Sequence, residues 1–174
     1  MRKSILSALL LSLSFHIFAM ERENGPENAL ALEGSLFMAG AAGGLFGGGL
    51  IFERTFLRVA SFVTSLRYQR YQTMNSTFNV IIPDTGARLY ISQLFGNQKS
   101  SRGFYTELKA GPAFKFGYDT GLYLGLKSAI GYAHAFASGL YINAALGYNG
   151  FISSNGNPPS WPEVNIQMGW AFFL

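Results

Sequence analysis

Hydrophobic positions recur every second residue in block after block of this chain. Between Phe104 and Phe116 one face carries Phe104, Thr106, Leu108, Ala110, Pro112, Phe114 and Phe116. The other carries Tyr105, Glu107, Lys109, Gly111, Ala113 and Lys115. The pattern returns at Leu122, Leu124, Leu126, Ile130 and Tyr132 with Lys127 opposite, and at Leu140, Ile142, Leu146 and Tyr148 with Tyr141, Asn143 and Asn149 opposite. In the final segment Val164, Ile166, Met168, Trp170, Phe172 and Leu174 face away from Asn165, Gln167, Gly169 and Ala171. Period two predicts β-strands, and a large apolar face backed by a polar or small one suits a strand between hydrocarbon and a polar interior. Twelve rises of ~3.3 Å from Phe104 to Phe116 give roughly 40 Å, or about 30 Å along the membrane normal at a tilt near 40°. That is one bilayer crossing.

Extended along the chain, the period predicts eight strands: 29–39, 44–53, 55–68, 86–96, 104–116, 121–134, 139–152 and 164–174. The first puts Leu30, Leu32, Leu36 and Met38 on one face and Ala31, Glu33, Ser35 and Phe37 on the other. Gly47, Gly48 and Gly49 interrupt the second. The third loses phase near Ser65, where a β-bulge is expected. Arg54, 97–102 and 135–138 read as short turns, whereas 69–85 and 153–163 read as longer polar loops. Short turns on one rim and long loops on the other are the outer-membrane barrel arrangement, and an even strand count brings both termini to the periplasmic side. The last strand needs a partner for its apolar edge, and the first strand is the expected one. The expected fold is therefore all-β: a transmembrane, eight-stranded, antiparallel up-and-down barrel over residues 29–174.

Residues 1–19 depart from this pattern. Arg2 and Lys3 precede an apolar core (Ile5, Leu6, Ala8 to Leu11, Leu13, Phe15, Ile17, Phe18) that is shorter than a spanning helix. A secretory signal peptide is expected there, followed by a short periplasmic leader at 20–28; an uncleaved N-terminal anchor is the alternative. Removing Arg2 and Lys3 lowers the formal charge from +4 to +2. With no clustered basic run, the chain is not expected to bind nucleic acid. Charged residues make up 13% and aromatic residues 16%, with 21 Gly, which fits strands, tight turns and interfacial girdles. Trp161, Trp170, Tyr118, Tyr132, Tyr148 and Phe172 are the expected girdle residues. The absence of Cys excludes disulfides, thiolate metal sites and a Cys nucleophile.

The inward phase carries Glu33, Arg88, Glu107, Lys109, Lys115 and Lys127, together with Asn143, Asn165 and Gln167. An eight-stranded barrel is only wide enough for its own side chains, so these charges must pair or meet water. Two acids against four bases predict an electropositive interior. A packed polar core is the favoured reading, a narrow and weakly anion-preferring pore the alternative. Hydrophobic cargo is disfavoured by the same residues.

Other arrangements read less well. Residues 34–52 carry no charge and seven glycines, which admits an inner-membrane helix with small residues at its interface, but that helix would leave the alternating segments unclosed. No Lys-Ser/Thr follows the glycines, so a phosphate loop is excluded. His134, Ser138 and Glu163 are hydrolase residue types, yet His134 falls in a turn and catalysis requires the three within hydrogen-bond reach. No enzyme activity, cofactor or metal is expected.

The signal-like residues 1–19, the alternating blocks 104–116, 122–132 and 140–148 and the closing strand 164–174 together make the chain resemble the small eight-stranded outer-membrane β-barrel superfamily, the opacity-protein, OmpX and OmpW-like group. Such barrels end on Phe or Trp, which the assembly machinery reads; here Leu174 takes that place, with Trp170 and Phe172 keeping the alternate spacing. The resemblance implies location in the outer membrane, contact with its lipid and with the barrel-assembly machinery through the last strand, and a role in envelope integrity, surface adhesion to a host or extracellular ligand, or small-molecule passage.

Overall fold

The computed structural model describes residues 28–37, 45–57, 59–72, 77–95, 102–117, 120–152 and 161–172. The expected signal peptide and nearly all of the leader lie outside these residues, as do Met38, Tyr118, Phe173 and Leu174. Eight strands form one closed antiparallel barrel in chain order: β1 (Asn28–Phe37), β2 (Leu45–Leu57), β3 (Ala60–Gln72), β4 (Thr77–Tyr90), β5 (Arg102–Gly117), β6 (Gly121–Ala135), β7 (Leu140–Ile152) and β8 (Trp161–Phe172). A five-residue helix, α1 (Ile91–Phe95), follows β4.

Closure is made by β1 and β8, paired over the whole of β1 from Asn28↔Phe172 to Phe37↔Glu163. Following paired residues around the wall from Asn28 through Arg54, Phe62, Ala87, Leu108, Ser128, Tyr148 and Pro162 climbs the full length of β1, a shear of ten residues. For eight strands this shear tilts each by roughly 40°, which matches the tilt of membrane barrels. Gly169 is where closure is tightest. A Cβ there would lie 1.9 Å from the Leu30 carbonyl oxygen and 2.4 Å from the Ala31 Cα, so only glycine lets β8 cross β1 this closely.

Outward residues form an apolar belt. Leu30, Leu32, Leu50, Leu66, Leu108, Leu126, Ile130, Leu146, Ile166 and Met168 are all exposed. Aromatic residues flank them: Phe62, Phe104, Tyr132 and Trp170 toward the rim that bears the termini, and Phe46, Tyr68, Phe116 and Tyr148 toward the opposite rim. Inward residues are charged, polar, small or, toward the rim opposite the termini, apolar and aromatic. In water this distribution is inside out, and in a bilayer it is the stable one. No described helix is long and apolar enough to cross a membrane, and residues 45–52 of the Gly-rich stretch are strand.

Several boundaries differ from the sequence expectation. β3 and β4 extend through most of 69–85 and leave 73–76 as the connection. Here Gln69, Tyr71 and Asp84 are buried in the interior; they are polar because they line the lumen, and their polarity had suggested a loop. The long connection lies instead between β4 and β5, on the terminal rim, where α1 replaces the expected end of the fourth strand. The register irregularity falls between Thr55 and Leu57, while β3 pairs without a shift through Ser65. The phase appeared lost because Val63 shares the inward face with Ser61, Ser65 and Arg67. Between β4 and β5 the pairing stops after Ile81↔Phe114 and resumes at Thr85↔Ala110. That register sets Pro83 against Pro112, two residues with no N–H to donate.

Candidate functional site

The lumen gathers ten buried charged residues among those described: Glu33, Glu53, Asp84, Glu107 and Glu163 against Arg67, Arg88, Arg102, Lys109 and Lys127. Each is carried on an inward position of a strand or its end, so the barrel wall fixes the spacing of the charges; Arg88 and Glu107 are direct register partners, as are Lys109 and Lys127. Buried ions of this number require partners, since each unpaired one costs several kcal/mol.

Toward the terminal rim the network centres on Arg88. Its Nη1 lies 2.6 Å from Glu53 Oε2 and donates to the Tyr141 hydroxyl at 2.8 Å; its Nη2 and Nε donate to Glu107 Oε2 at 2.5 and 3.0 Å. The guanidinium also lies 4.1 Å above the Tyr105 ring, where a cation meets the negative face of the aromatic system. Glu53 is further held by Arg102 and by the Tyr90 hydroxyl, which donates at 2.5 Å. Alanines fill the facing wall, Ala29, Ala31, Ala129, Ala133, Ala145 and Ala171, and their small volume leaves room for the tyrosines.

Midway, Lys109 joins this cluster to a second one. Its Nζ is 3.6 Å from Glu107 Oε1 and 3.4 Å from Asp84 Oδ1, and it donates to Ser65 Oγ at 2.8 Å. Asp84 accepts from Arg67 and Ser65. Arg67 reaches across to Asn149 at 3.0 Å and to Glu163 at 3.6 Å. Lys127 bridges Glu163 at 2.8 Å and Glu33 at 3.4 Å. Gln167 donates to Glu33 at 3.1 Å and accepts from Asn143 at 3.0 Å, returning the chain of contacts to the first cluster. Beyond these charges, at the rim away from the termini, the lumen turns apolar. Tyr71, Val80, Ile82 and Ala113 are buried there, with Phe78, Tyr123, Phe151 and Trp161 packed against them and the Tyr71 and Phe78 rings stacked 4.8 Å apart.

Five of the six charges expected inside, Glu33, Arg88, Glu107, Lys109 and Lys127, are buried in this network. Lys115 shares their phase but is half-buried at the aromatic end, its Nζ 4.7 Å from the Phe78 ring centroid. The electropositive interior is corrected: the buried described charges are five acids and five bases, because Glu53, Asp84 and Glu163 face inward too. Sequence reasoning placed Asp84, Arg102 and Glu163 in connections and gave Glu53 and Arg67 no face. Period-two spacing from Arg88 and Asn165, carried past the assumed strand ends, would have found Asp84 and Glu163; Arg102 shares the outward phase of Phe104 and is buried only because the backbone turns at Arg102 and Gly103, with φ of 90° and 127°. The outward set Val164, Ile166, Met168 and Trp170 is exposed on β8, and Phe172 is half-buried at its end; Leu174 lies outside the described residues. Trp161 is a correction as well, turned inward against Tyr71 at a centroid distance of 5.9 Å rather than into an interfacial girdle. His134, Ser138 and Glu163 do not meet. His134 sits on the outer face between Tyr132 and Phe136, Ser138 is in the following turn, and Glu163 is inside, paired with Lys127. No group of His, Asp and Glu among the described residues has metal-binding geometry.

No protein-family model matches the chain, and no curated protein does. Solved structures do. Neisserial surface protein A matches at 13% identity and TM-score 0.56, over 86% of this chain and 100% of that one. Ail, the attachment invasion locus protein of Yersinia pestis, matches at 13% and 0.53, over 86% and 100%. The N-terminal β-barrel domain of Pseudomonas aeruginosa OprF matches at 15% and 0.51, over 84% and 100%. At these identities the likeness is one of fold, and the fold of this chain is that of the small eight-stranded outer-membrane β-barrels.

Proposed function

We propose that the chain is an integral outer-membrane barrel with a structural or surface-interaction role, and that it neither conducts solutes nor catalyses a reaction. The observation that carries this reading is the lumen. Ten charges satisfy one another across it, and an aromatic cluster occupies one end. A conducting path needs mobile water and ions along its length, whereas here the residues a narrow pore would use are held by carboxylates, Lys109 by Asp84 and Glu107 and Lys127 by Glu33 and Glu163. In this reading the terminal rim faces the periplasm, the rim at Tyr71 and Trp161 faces outward, and residues 1–19 direct export. Outer-membrane lipid surrounds the belt, and β8 meets the barrel-assembly machinery. Surface binding by this fold has a precedent in Ail, which has been solved with the heparin analogue sucrose octasulfate; an extracellular ligand contacting the outward rim is the corresponding role here. Reconstitution into planar bilayers tests the proposal. A silent membrane at protein densities that give steady porin currents is expected, and discrete, reproducible openings would replace this reading with the pore.

A further inference from the structure

The helix α1 is built the wrong way round for water. Ile91, Leu94 and Phe95 stand at the i, i+3, i+4 spacing that makes one helical face, and all three are exposed, Phe95 at 87%. The buried side chain of the helix is polar: Gln93 is tucked under it and donates from Nε2 to the Arg102 carbonyl at 3.1 Å. The start of β5 is shaped to receive it. Arg102 and Gly103 have φ of 90° and 127°, and a Cβ on Gly103 would lie 2.1 Å from Ser92 Oγ. The helix is thus seated on the rim by its polar side and shows its apolar side outward.

That apolar side is continuous with the lipid-facing belt. Leu89 is outward and exposed and Tyr90 is inward and buried, so Ile91 continues the outward phase as β4 gives way to the helix. Phe104, exposed on β5, pairs with the girdle residue Tyr132 on the same rim. A short segment with its apolar side outward at the edge of a membrane belt has the distribution of a monotopic interfacial helix.

We propose that α1 lies in the headgroup boundary of the phospholipid leaflet on the terminal rim, as a foot that inserts Ile91, Leu94 and Phe95 and sets the depth of the barrel. The inference rests on the membrane reading above, and its test separates the two. The chain has no Cys, so single-cysteine variants carry a nitroxide at one chosen place. Leu94→Cys and Phe95→Cys report the foot, Leu108→Cys the mid-belt, and Ser138→Cys an exposed turn on the same rim. The folded protein is placed in phosphatidylethanolamine/phosphatidylglycerol vesicles and collisions with oxygen and with a water-soluble nickel chelate are compared. The expected oxygen-to-nickel ratio at positions 94 and 95 is several-fold above that at 138 and below that at 108. Ratios at 94 and 95 equal to that at 138 overturn the foot while leaving the membrane barrel intact. A label at 94 and 95 that is immobile and shielded from both reagents also overturns it, in favour of a protein contact. A water-like ratio at 108 would remove the membrane reading itself, and the foot with it. Two foot positions are used so that a folding defect at one leaves the other to decide.

Discussion

Replacing Arg88 with methionine removes the residue on which the terminal half of the lumen is centred. The substitution keeps most of the side-chain length and deletes only the guanidinium. Lost with it are the contact to Glu53 at 2.6 Å, two donations to Glu107 at 2.5 and 3.0 Å, the donation to Tyr141 at 2.8 Å and the stacking on Tyr105. Hydrogen bonds to charged groups contribute about 1.5–3 kcal/mol each when counted singly, but the neighbours absorb part of the loss. Glu53 keeps Arg102 and Tyr90, and Glu107 keeps Lys109 at 3.6 Å. The expected cost is therefore that of removing one partner from a buried pair, about 3–5 kcal/mol. Arg102→Met should cost less, about 1–3 kcal/mol, because Glu53 retains Arg88 and the Tyr90 and Tyr141 hydroxyls. Urea titration of the folded protein in lipid vesicles, followed by gel migration without boiling, reads both. Glu107→Gln added to Arg88→Met should recover part of the loss, since it removes the carboxylate left short of a cation. Equal stabilities for wild type and Arg88→Met would refute the argument, because they would mean that water already serves Glu53 and Glu107 as well as arginine does.

Two further substitutions test the wall. Leu108 is 67% exposed near mid-belt, so Leu108→Arg should cost ~2–4 kcal/mol of folding free energy in vesicles, against ~0–1 for Tyr148→Arg nearer the rim; equal costs would contradict the assigned belt. Gly169→Ala forces the β1 backbone to move and should destabilise by about 1–3 kcal/mol or more, lowering the temperature at which the heat-modifiable gel shift is lost. Gly150→Ala has nothing within 4 Å of the new carbon and serves as its tolerated counterpart.

The parts of this fold legible in the sequence are those where apolar and polar residues alternate cleanly. β5, β6 and β7 were readable almost to their ends because Leu108, Leu126 and Leu146 stand in unbroken outward rows. β3 and β4 were not, for a physical reason that also hid half the site. A filled polar lumen puts Gln69, Tyr71 and Asp84 inside strands, where residue-level polarity suggests a loop. Pro83 reinforced that impression, although it sits opposite Pro112 where the β4–β5 ladder is interrupted. Charge balance was equally hidden: Glu163 pairs with Lys127, thirty-six positions away in the chain, and only the folding of β6, β7 and β8 side by side brings them together. The aromatic end could not be foreseen from the period alone, since Tyr71 and Trp161 lie in stretches that read as loops.

The contacts that join β1 and β8 to the rest of the lumen give closure an error check. Glu33 on β1 meets Lys127 of β6 and Gln167 of β8, and Glu163 on β8 meets Arg67 of β3 and Lys127. The contacts of Glu33, and that of Glu163 with Arg67, lie across the seam and form only when the two end strands meet. Because side chains alternate, a slip of one residue in β8 would turn Glu163, Asn165 and Gln167 out into hydrocarbon and Val164, Ile166 and Met168 in among the charges. A misregistered barrel is thus penalised twice, by ions in lipid and by orphaned ions inside. The ion pairs of the lumen act in this way as a proofreading step in assembly, accepting the correct seam and rejecting its neighbours before the wall is sealed.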